Sequence, residues 1–353
     1  MTRITRGQHH KPFSRFLEFA DAAVCRASLT QDLWYRDRVT EETKATGDQI
    51  MRSLIDDGRA RVVVATATAA TRGMTLRHGI AGIPAIALGR SAVAGLLLAT
   101  LTKDEEQVTL QVLGDGPLAG VTVDARSSGR VRGFVKRPHA VVWNKDLAGS
   151  LPILIGDAIG KNGVVSVVRD LGMAQNYCGQ VALSTGEIDQ EVERYLVTSE
   201  QIDSVVRCDV LVDSDGQVAA AAGLLVQTLP QAHGAALVEF VRDALRGPVF
   251  TQVLADAFAQ GRVEPEFLAR AALGDCTQGM QILESRKVEF FCPCSRERAE
   301  STLGMLGQQD LKDMLLEDEQ AEVTCNFCGQ KYGFSEIELE RIRRKLDKNL
   351  GRA

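Results

Sequence analysis

The sequence predicts an α+β protein with three structured parts: an N-terminal sheet-rich core domain, a helical connector and a small C-terminal module built on four cysteines. Three observations predict it. From about residue 46, β-branched runs are joined mostly by hairpin-type turns, with few helical segments, which favours antiparallel or mixed sheets. After Pro230, apolar residues recur at helical spacing. Near the C-terminus, two cysteine pairs follow each other closely.

These changes in pattern divide the chain into four predicted segments. They are an N-terminal extension at residues 1–45, the core domain at 46–234, the helical linker at 235–287 and the cysteine module at 288–353. The start of the extension is basic, as in transit peptides, but acids follow at Glu18 and Asp21. We therefore interpret the extension as a segment that is not cleaved.

The core strands are predicted from β-branched or alternating runs that turn residues bound on both sides. They cover residues 61–68, 107–113, 121–124, 131–136, 164–168, 180–184, 205–212 and 217–226. The last two are joined by Asp213-Ser214-Asp215-Gly216, which is a strong hairpin signal.

Helices are predicted from apolar spacing and end signals. In the core domain they cover residues 48–57, 92–101 and 188–197, with Gly58 ending the first and Ser91 as the N-cap of the second. In the linker they cover residues 235–245, 249–259 and 265–272. These linker helices carry too many apolar residues to remain unpacked. A capping box at Ser335 and Glu338 starts the last helix.

Composition excludes several function classes. The 353 residues are 45% hydrophobic and 25% charged, as in ordinary globular proteins, and the net charge of −5 argues against nucleic acid or an anionic membrane as partner. The apolar run from Gly79 to Leu101 is broken by Pro84 and Arg90, so it does not predict a membrane span. The five histidines have no catalytic spacing, and we expect no enzyme. No signal-peptide pattern is present, and a soluble protein is expected.

The strongest chemical signal is Cys292-Pro293-Cys294 followed by Cys325-Asn326-Phe327-Cys328. Four soft thiolates in two such pairs suit a tetrahedral zinc site. Gly329 fits the tight turn of a zinc knuckle, and Tyr332 and Phe334 are expected to cover the site. The module has few large apolar residues, so we expect it to unfold when the metal is lost.

Three interpretations of this site compete. A structural zinc ribbon for nucleic acid is disfavoured by charge, because residues 292–328 hold three basic side chains and eight acidic ones. A thioredoxin-like oxidoreductase needs a helix directly after the cysteine pair, and the residues after Cys328 start a helix poorly. The third interpretation is a redox switch in which oxidation removes the ligands. Separately, residues 156–162 resemble a P-loop, but Asn162 stands where Ser or Thr should be.

Several motifs together resemble the heat shock protein 33 family. They extend over about residues 46–345 and include Gly114-Asp115-Gly116-Pro117-Leu118, Val131-Arg132-Gly133-Phe134-Val135, Ser184-Thr185-Gly186-Glu187-Ile188, Ala222-Gly223-Leu224-Leu225-Val226-Gln227-Thr228-Leu229-Pro230 and Cys292-Pro293-Cys294-Ser295-Arg296-Glu297-Arg298. The resemblance implies a cytoplasmic, redox-regulated holdase that works without ATP. It implies one Zn²⁺ per chain, held by the four cysteines in the reduced, inactive form.

The resemblance also implies how such a protein is activated. Oxidation would pair Cys292 with Cys294 and Cys325 with Cys328, release zinc, unfold the linker and expose a surface for unfolding client proteins. A homodimer of the oxidised form is implied as well. The extension and four further cysteines depart from the family pattern, and their roles stay open: Cys25, Cys178, Cys208 and Cys276.

Apolar linker residues are the candidate client-binding surface. They are expected to be covered at rest and uncovered when the linker unfolds. The alternative is that they form the core of a static helical subdomain. They are Leu237, Phe240, Val241, Phe250, Val253, Leu254 and Phe258.

Overall fold

The computed structural model describes residues 2–6, 47–102, 106–140, 152–170, 172, 176–229, 235–306, 309, 311–312, 315 and 320–350. The chain divides into two compact units. The larger unit is Thr43–Phe291, and the smaller unit joins Met1–Glu42 with Cys292–Ala353.

The larger unit contains two sheets and seven described helices. Its strands are β2 (Gln49–Ile55), β3 (Ala60–Thr66), β4 (Gln107–Gly114), β5 (Val121–Arg126), β6 (Arg130–Val135), β7 (Gly163–Asp170), β8 (Tyr177–Ala182), β9 (Ser204–Val212), β10 (Val218–Thr228), β11 (Gln281–Lys287) and β12 (Glu289–Phe290). Its helices are α1 (Thr68–His78), α2 (Ile83–Ala99), α3 (Gly156–Ile159), α4 (Ile188–Ser199), α5 (Ala235–Ala244), α6 (Val249–Ala259) and α7 (Pro265–Leu273).

The strand order confirms the predicted α+β class with mainly antiparallel sheets. One sheet has the order β11-β2-β3-β10-β9, and all its pairs are antiparallel. The other has the order β12-β6-β5-β4-β7-β8, in which only β12 pairs in parallel, with β6. The hairpin predicted at 213–216 joins β9 to β10.

Helix α2 lies between the two sheets and is buried along its whole length. It approaches both sheets closely at glycines. A Cβ on Gly89 would lie 2.7 Å from a methyl of Val210 in β9, and one on Gly95 would lie 3.0 Å from a methyl of Val123 in β5. The Gly- and Ala-rich run is therefore a helix that two sheets must approach within van der Waals contact.

Two helix predictions in the core domain are wrong in type or extent. The helix predicted at residues 48–57 is instead strand β2 over Gln49–Ile55, followed by a 3-10 turn at Asp56–Gly58. Strand β2 pairs on both sides, with β3 and β11, and alternates buried with more exposed side chains. Helix α2 begins at Ile83 and not at Ala92, with Pro84 in its first turn, where proline is tolerated. Ser91 is consequently a buried residue inside α2, not its N-cap.

One further strand starts earlier than predicted, and two elements were not predicted. The strand predicted at 180–184 is β8, which starts three residues earlier at Tyr177. Helix α1 and strand β11 were not predicted. Every β11 side chain is at least partly exposed, so the strand lacks the alternating apolar pattern that reveals a half-buried strand.

The linker helices α5, α6 and α7 pack on the five-stranded sheet, on the face opposite α2. Val241, Phe250, Leu254 and Leu268 share a buried cluster with strand residues that include Val62, Val64, Leu224 and Val226. The expectation that the linker packs against a surface is therefore confirmed.

In the part of the smaller unit that the structure describes, there is a three-stranded sheet with two helices of given bounds. The strands are β1 (Thr2–Arg6), β13 (Gln320–Cys325) and β14 (Lys331–Ser335), in the order β1-β13-β14. The helices are α8 (Arg296–Leu303) and α9 (Glu336–Leu350). The Glu338 carboxylate accepts hydrogen bonds from the backbone N–H and the hydroxyl of Ser335, as a capping box requires of its acid.

One buried cation connects several elements of the larger unit. Arg90 of α2 is 3% exposed, and its guanidinium donates to Asp209 of β9 at 2.6 and 3.0 Å and to Glu187 at 3.1 Å. The other Asp209 oxygen accepts a hydrogen bond from the hydroxyl of Thr251 in linker helix α6. Burial alone would lower the pKa of Arg90, but the surrounding carboxylates outweigh it and raise that pKa.

Replacing this cation should destabilise the larger unit strongly. We expect Arg90→Met to cost about 3–5 kcal/mol of unfolding free energy, because it leaves Asp209 and Glu187 buried without their partner. Urea denaturation followed by circular dichroism measures the loss. The control is Arg130→Met, which removes an exposed pair with Glu289 and should change stability by less than about 1 kcal/mol. Equal losses in both variants would contradict this account of Arg90.

Candidate metal centre

The four predicted cysteines come from two short segments of the smaller unit. Cys292 and Cys294 precede helix α8, whose N-cap is Ser295. Cys325 is the last residue of β13, and Cys328 lies in the turn that leads to β14. The turn is closed by two backbone bonds, from Gly329 N–H to the Cys325 carbonyl and from Cys325 N–H to the Gln330 carbonyl. Gly329 has φ +72°, the left-handed conformation that the knuckle turn requires.

All four sulfur atoms lie within 4.8 Å of one another, so the cluster could hold a metal ion. Two sulfur–sulfur contacts cross between the pairs, at 3.7 Å from Cys292 to Cys325 and 3.3 Å from Cys294 to Cys328. A tetrahedral Zn²⁺ with Zn–S bonds of about 2.3 Å would separate its sulfurs by about 3.8 Å. The spacing of the donor set therefore fits a four-thiolate metal site.

Electrostatics also points to a cation at this site. Hydrogen bonding to Cys292 raises the pKa of Cys325, and contacts with Cys292 and Cys325 raise the pKa of Cys328 well above that of a free thiol. Four thiolates this close repel one another strongly. A divalent ion bound here would supply the compensating charge and take the place of the thiol protons.

Tyr332 of β14 contacts the cluster directly, as predicted. Its hydroxyl donates a hydrogen bond to the Cys294 sulfur at 3.2 Å. Phe334 does not contact the sulfurs in the same way, since it is buried in the module core with the Arg296 guanidinium 4.6 Å from its ring centre. Cys325 is buried, whereas the other three ligands are partly exposed and within reach of small solutes.

The other cysteines that the structure describes lie outside this cluster. Cys208 is buried, and burial raises its pKa well above the ordinary value, so its thiol is poorly reactive. Cys178 is exposed on β8, and Cys276 is half-buried beside α7. Cys25 lies outside the described residues.

The two weaker motifs find no support in the structure. The P-loop-like segment forms only the single turn α3, and the Glu187 carboxylate already accepts the N–H groups of Ile155 and Gly156 at 2.8 and 2.6 Å. A phosphate would have to displace this carboxylate. After Cys328 the chain continues through a turn into β14 and not into a helix, unlike the thioredoxin arrangement.

The candidate client-binding residues divide into buried and exposed ones. Val241, Phe250 and Leu254 are buried against the five-stranded sheet, as expected of covered residues. Leu237 and Val253 are partly buried at its margin. The expected cover is wrong for Phe240 and Phe258, which are 60% and 46% exposed, because they lie on the faces of α5 and α6 that point away from the sheet.

Two structurally important contacts were not predicted from the sequence: those of Arg90, and the pairing of β1 with β13. Arg90 was noted only as a charge interrupting an apolar run, yet it joins α2 to β9 and, through Asp209, to the linker residue Thr251. A charge inside an apolar helix is the signal that could have marked it. The pairing of β1 with β13 brings the N-terminal extension into the cysteine module, and nothing in the extension sequence indicated that partner.

Comparison with known proteins places this architecture in one family of chaperones. The family model described as "Hsp33 protein" matches residues 48–335. A curated "33 kDa chaperonin" of Listeria welshimeri is 35% identical over 295 residues, covering 84% of this chain and 98% of the relative. Its Bacillus subtilis counterpart is 34% identical over 296 residues, with the same coverage. The chain belongs to the Hsp33 family.

A solved structure agrees with this assignment. The 33 kDa chaperonin of Thermotoga maritima, a heat shock protein 33 homolog, superimposes with a TM-score of 0.74 at 30% identity. The match covers 86% of this chain and 100% of that one. Among the described helices, none combines the length and apolar composition needed to cross a lipid bilayer.

The Tyr332 hydroxyl should strengthen metal binding. We expect Tyr332→Phe to lower the affinity for Zn²⁺ about 10-fold, because groups that hydrogen-bond to metal ligands orient them and stabilise their charge. Competition with a chromophoric chelator measures the affinity. Tyr177→Phe is the matched control, since Tyr177 is exposed on β8 of the larger unit. An unchanged affinity in Tyr332→Phe would mean that the hydrogen bond does not support the site.

Proposed function

We propose that this protein is a redox-regulated holdase that binds unfolding client proteins without ATP. The observation that carries the proposal is the convergence of Cys292, Cys294, Cys325 and Cys328 into one cluster in a chain of the Hsp33 family. In the reduced protein these four thiolates hold one Zn²⁺, whose charge keeps them deprotonated and close together. Activity then depends on binding of clients and not on catalysis.

Oxidation of the cysteine pairs is the proposed signal. Cys292 bonds to Cys294 and Cys325 bonds to Cys328. Formation of each disulfide transfers two electrons to the oxidant, and hydrogen peroxide takes them up with two protons to give two molecules of water. The partners within each pair are separated by one or two residues, so local rotation brings their sulfurs together. Either disulfide removes two of the four ligands, and the remaining thiolates bind metal weakly.

Loss of the metal has a structural consequence because the cysteine module has a small core. Among the described residues, the buried apolar side chains of its core cluster are Ala299, Leu303, Leu311, Ala321, Val323, Phe334, Leu339 and Ile342. A core of this size does not keep the module folded without additional stabilisation, such as a bound metal ion. Structural zinc contributes about 10–16 kcal/mol in finger peptides, as much as a typical domain's whole stability. Zinc release therefore unfolds the module.

The linker helices are the proposed client-binding element. Their buried residues Val241, Phe250 and Leu254 become available when the linker leaves the five-stranded sheet, and the sheet residues beneath them are uncovered at the same time. Phe240 and Phe258 are exposed already and would give an initial apolar contact. We place this activity in the cytoplasm and propose a homodimer as the active oxidised form.

The first test compares reduced and oxidised protein. Peroxide should release about one Zn²⁺ per chain and should allow the protein to suppress light scattering by an aggregating client. Cys325→Ser should weaken zinc binding, whereas Cys178→Ser, a change at an exposed cysteine outside the cluster, should behave as the parent protein does. Equal protection by both redox forms would overturn the redox switch. Turnover of a small dithiol substrate would instead favour an oxidoreductase.

The second test concerns the hydrogen bond from Thr251 to Asp209, which connects α6 to β9. Thr251→Val keeps the side-chain shape but leaves the buried Asp209 oxygen without its donor, which costs about 1.5–3 kcal/mol. Cleavage within residues 249–259 should become about 10-fold faster or more in the reduced protein, and less oxidant should suffice for client binding. Gln252→Ala, which removes an exposed contact with Asp256 on the same helix, is the control. Identical protease resistance in both variants would exclude this role for Thr251.

A further inference from the structure

Strand β1 lies outside the part of the chain that the family model matches. The match begins at residue 48, whereas β1 is Thr2–Arg6. In the fold, β1 pairs with β13, the strand that ends at the ligand Cys325. The N-terminal extension therefore contributes directly to the cysteine module.

Strand β1 pairs with β13 from Ala321 to Cys325. Thr2 lies opposite Cys325, and Arg6 lies opposite Ala321. On its other side, β13 pairs with β14, so β13 is the central strand of the sheet. Without β1, β13 would be an edge strand, and only a two-stranded hairpin would remain.

Such a hairpin would be weak for two reasons. Isolated two-stranded sheets are marginally stable in water, whereas a third strand gives a sheet that can hold together on a core. An exposed edge also leaves a row of backbone N–H and C=O groups unpaired. Without β1, strand β13, which positions Cys325, would therefore be less stable.

We propose that β1 is a clamp strand that keeps the cysteine module folded and sets how readily it loses its metal. This inference rests on the proposed function for the role of the metal, but not for the pairing itself. Both the clamp and the metal require an ordered β13. Pairing of β1 therefore favours metal binding. By thermodynamic linkage, metal binding favours the pairing of β1 to the same extent. Detachment of β1 lowers the barrier to metal loss, and metal loss frees β1.

The ladder geometry provides a matched pair of variants. The Cys325 N–H donates toward β14, to the Gln330 carbonyl. Backbone N–H groups alternate sides along a strand, so those of Glu322 and Thr324 face β1. Their partners in the register are Thr5 and Arg3. The N–H of Thr5 thus faces β13, whereas that of Ile4 faces away from it.

Proline should disturb the sheet at Thr5 but not at Ile4. Thr5→Pro removes a ladder donor, whereas Ile4→Pro removes an N–H at the free edge, where proline is tolerated in a strand. In the full-length reduced protein, we expect Thr5→Pro to speed amide exchange at Glu322 and Thr324 about 10-fold, with Val323 and Cys325 still protected by β14. Transfer of metal to a chelator should also be several-fold faster. Ile4→Pro should match the parent protein in both measurements.

Amide exchange and metal transfer together distinguish failure of the clamp proposal from failure of the proposed redox switch. If Thr5→Pro and Ile4→Pro give the same exchange at Glu322 and Thr324, the clamp is overturned. If exchange differs but transfer of Zn²⁺ to the chelator does not, β1 pairs without controlling the metal, which also overturns the proposal. If the parent protein holds no Zn²⁺, the proposed function fails, while the exchange comparison still decides whether β1 stabilises the module.

Discussion

The arrangement of the larger unit depends on one buried guanidinium. A charge inside a helix packed between two sheets is costly unless its partners are buried with it. Arg90 has such partners in Asp209 and Glu187. Asp209 in turn accepts a hydrogen bond from Thr251 of the linker, and Glu187 accepts the N–H groups at the start of α3. The central helix, the five-stranded sheet, the loop before α4 and the linker are therefore fixed relative to one another by a single charge.

The two units differ in what stabilises them. The larger unit buries a continuous apolar core around α2, together with a second core beneath the linker helices. The smaller unit has a far smaller core and brings four sulfurs within 4.8 Å of one another. A protein built in this way can lose the order of the smaller unit through the chemistry of four sulfur atoms while the sheets of the larger unit keep their fold. That difference is the physical basis of the proposed switch.

The linker is attached less uniformly than its apolar sequence indicates. Its buried face contributes side chains to the core of the five-stranded sheet, but Thr251 and Arg242 also reach charged partners in the core domain. Polar contacts of this kind depend on geometry and are lost together when a helix shifts. In the proposed switch, the same residues form a static core in one state and a released surface in the other.

Much of the fold was predictable because it depends on local pattern. The hairpin from β9 to β10, helix α4 and the three linker helices follow from period, turn residues and end signals. Strand β2 was not predictable from its own residues, since its pairing with β3 and β11 overrides a helical pattern. The start of α2 was missed for a similar reason. Its first turns are stabilised by burial between sheets and not by a cap.

For the site, the sequence alone determined the four thiols, their spacing and the metal type that suits them. It also determined the family resemblance, because these features reside in residue identity. Only the tertiary structure decided that Cys294 contacts Cys328 across the two pairs, that Tyr332 donates to Cys294, and that Arg90 reaches the linker through Asp209. It alone placed β1 beside β13. These contacts join residues far apart in the chain, and no local pattern encodes which distant partner a side chain or strand edge will meet.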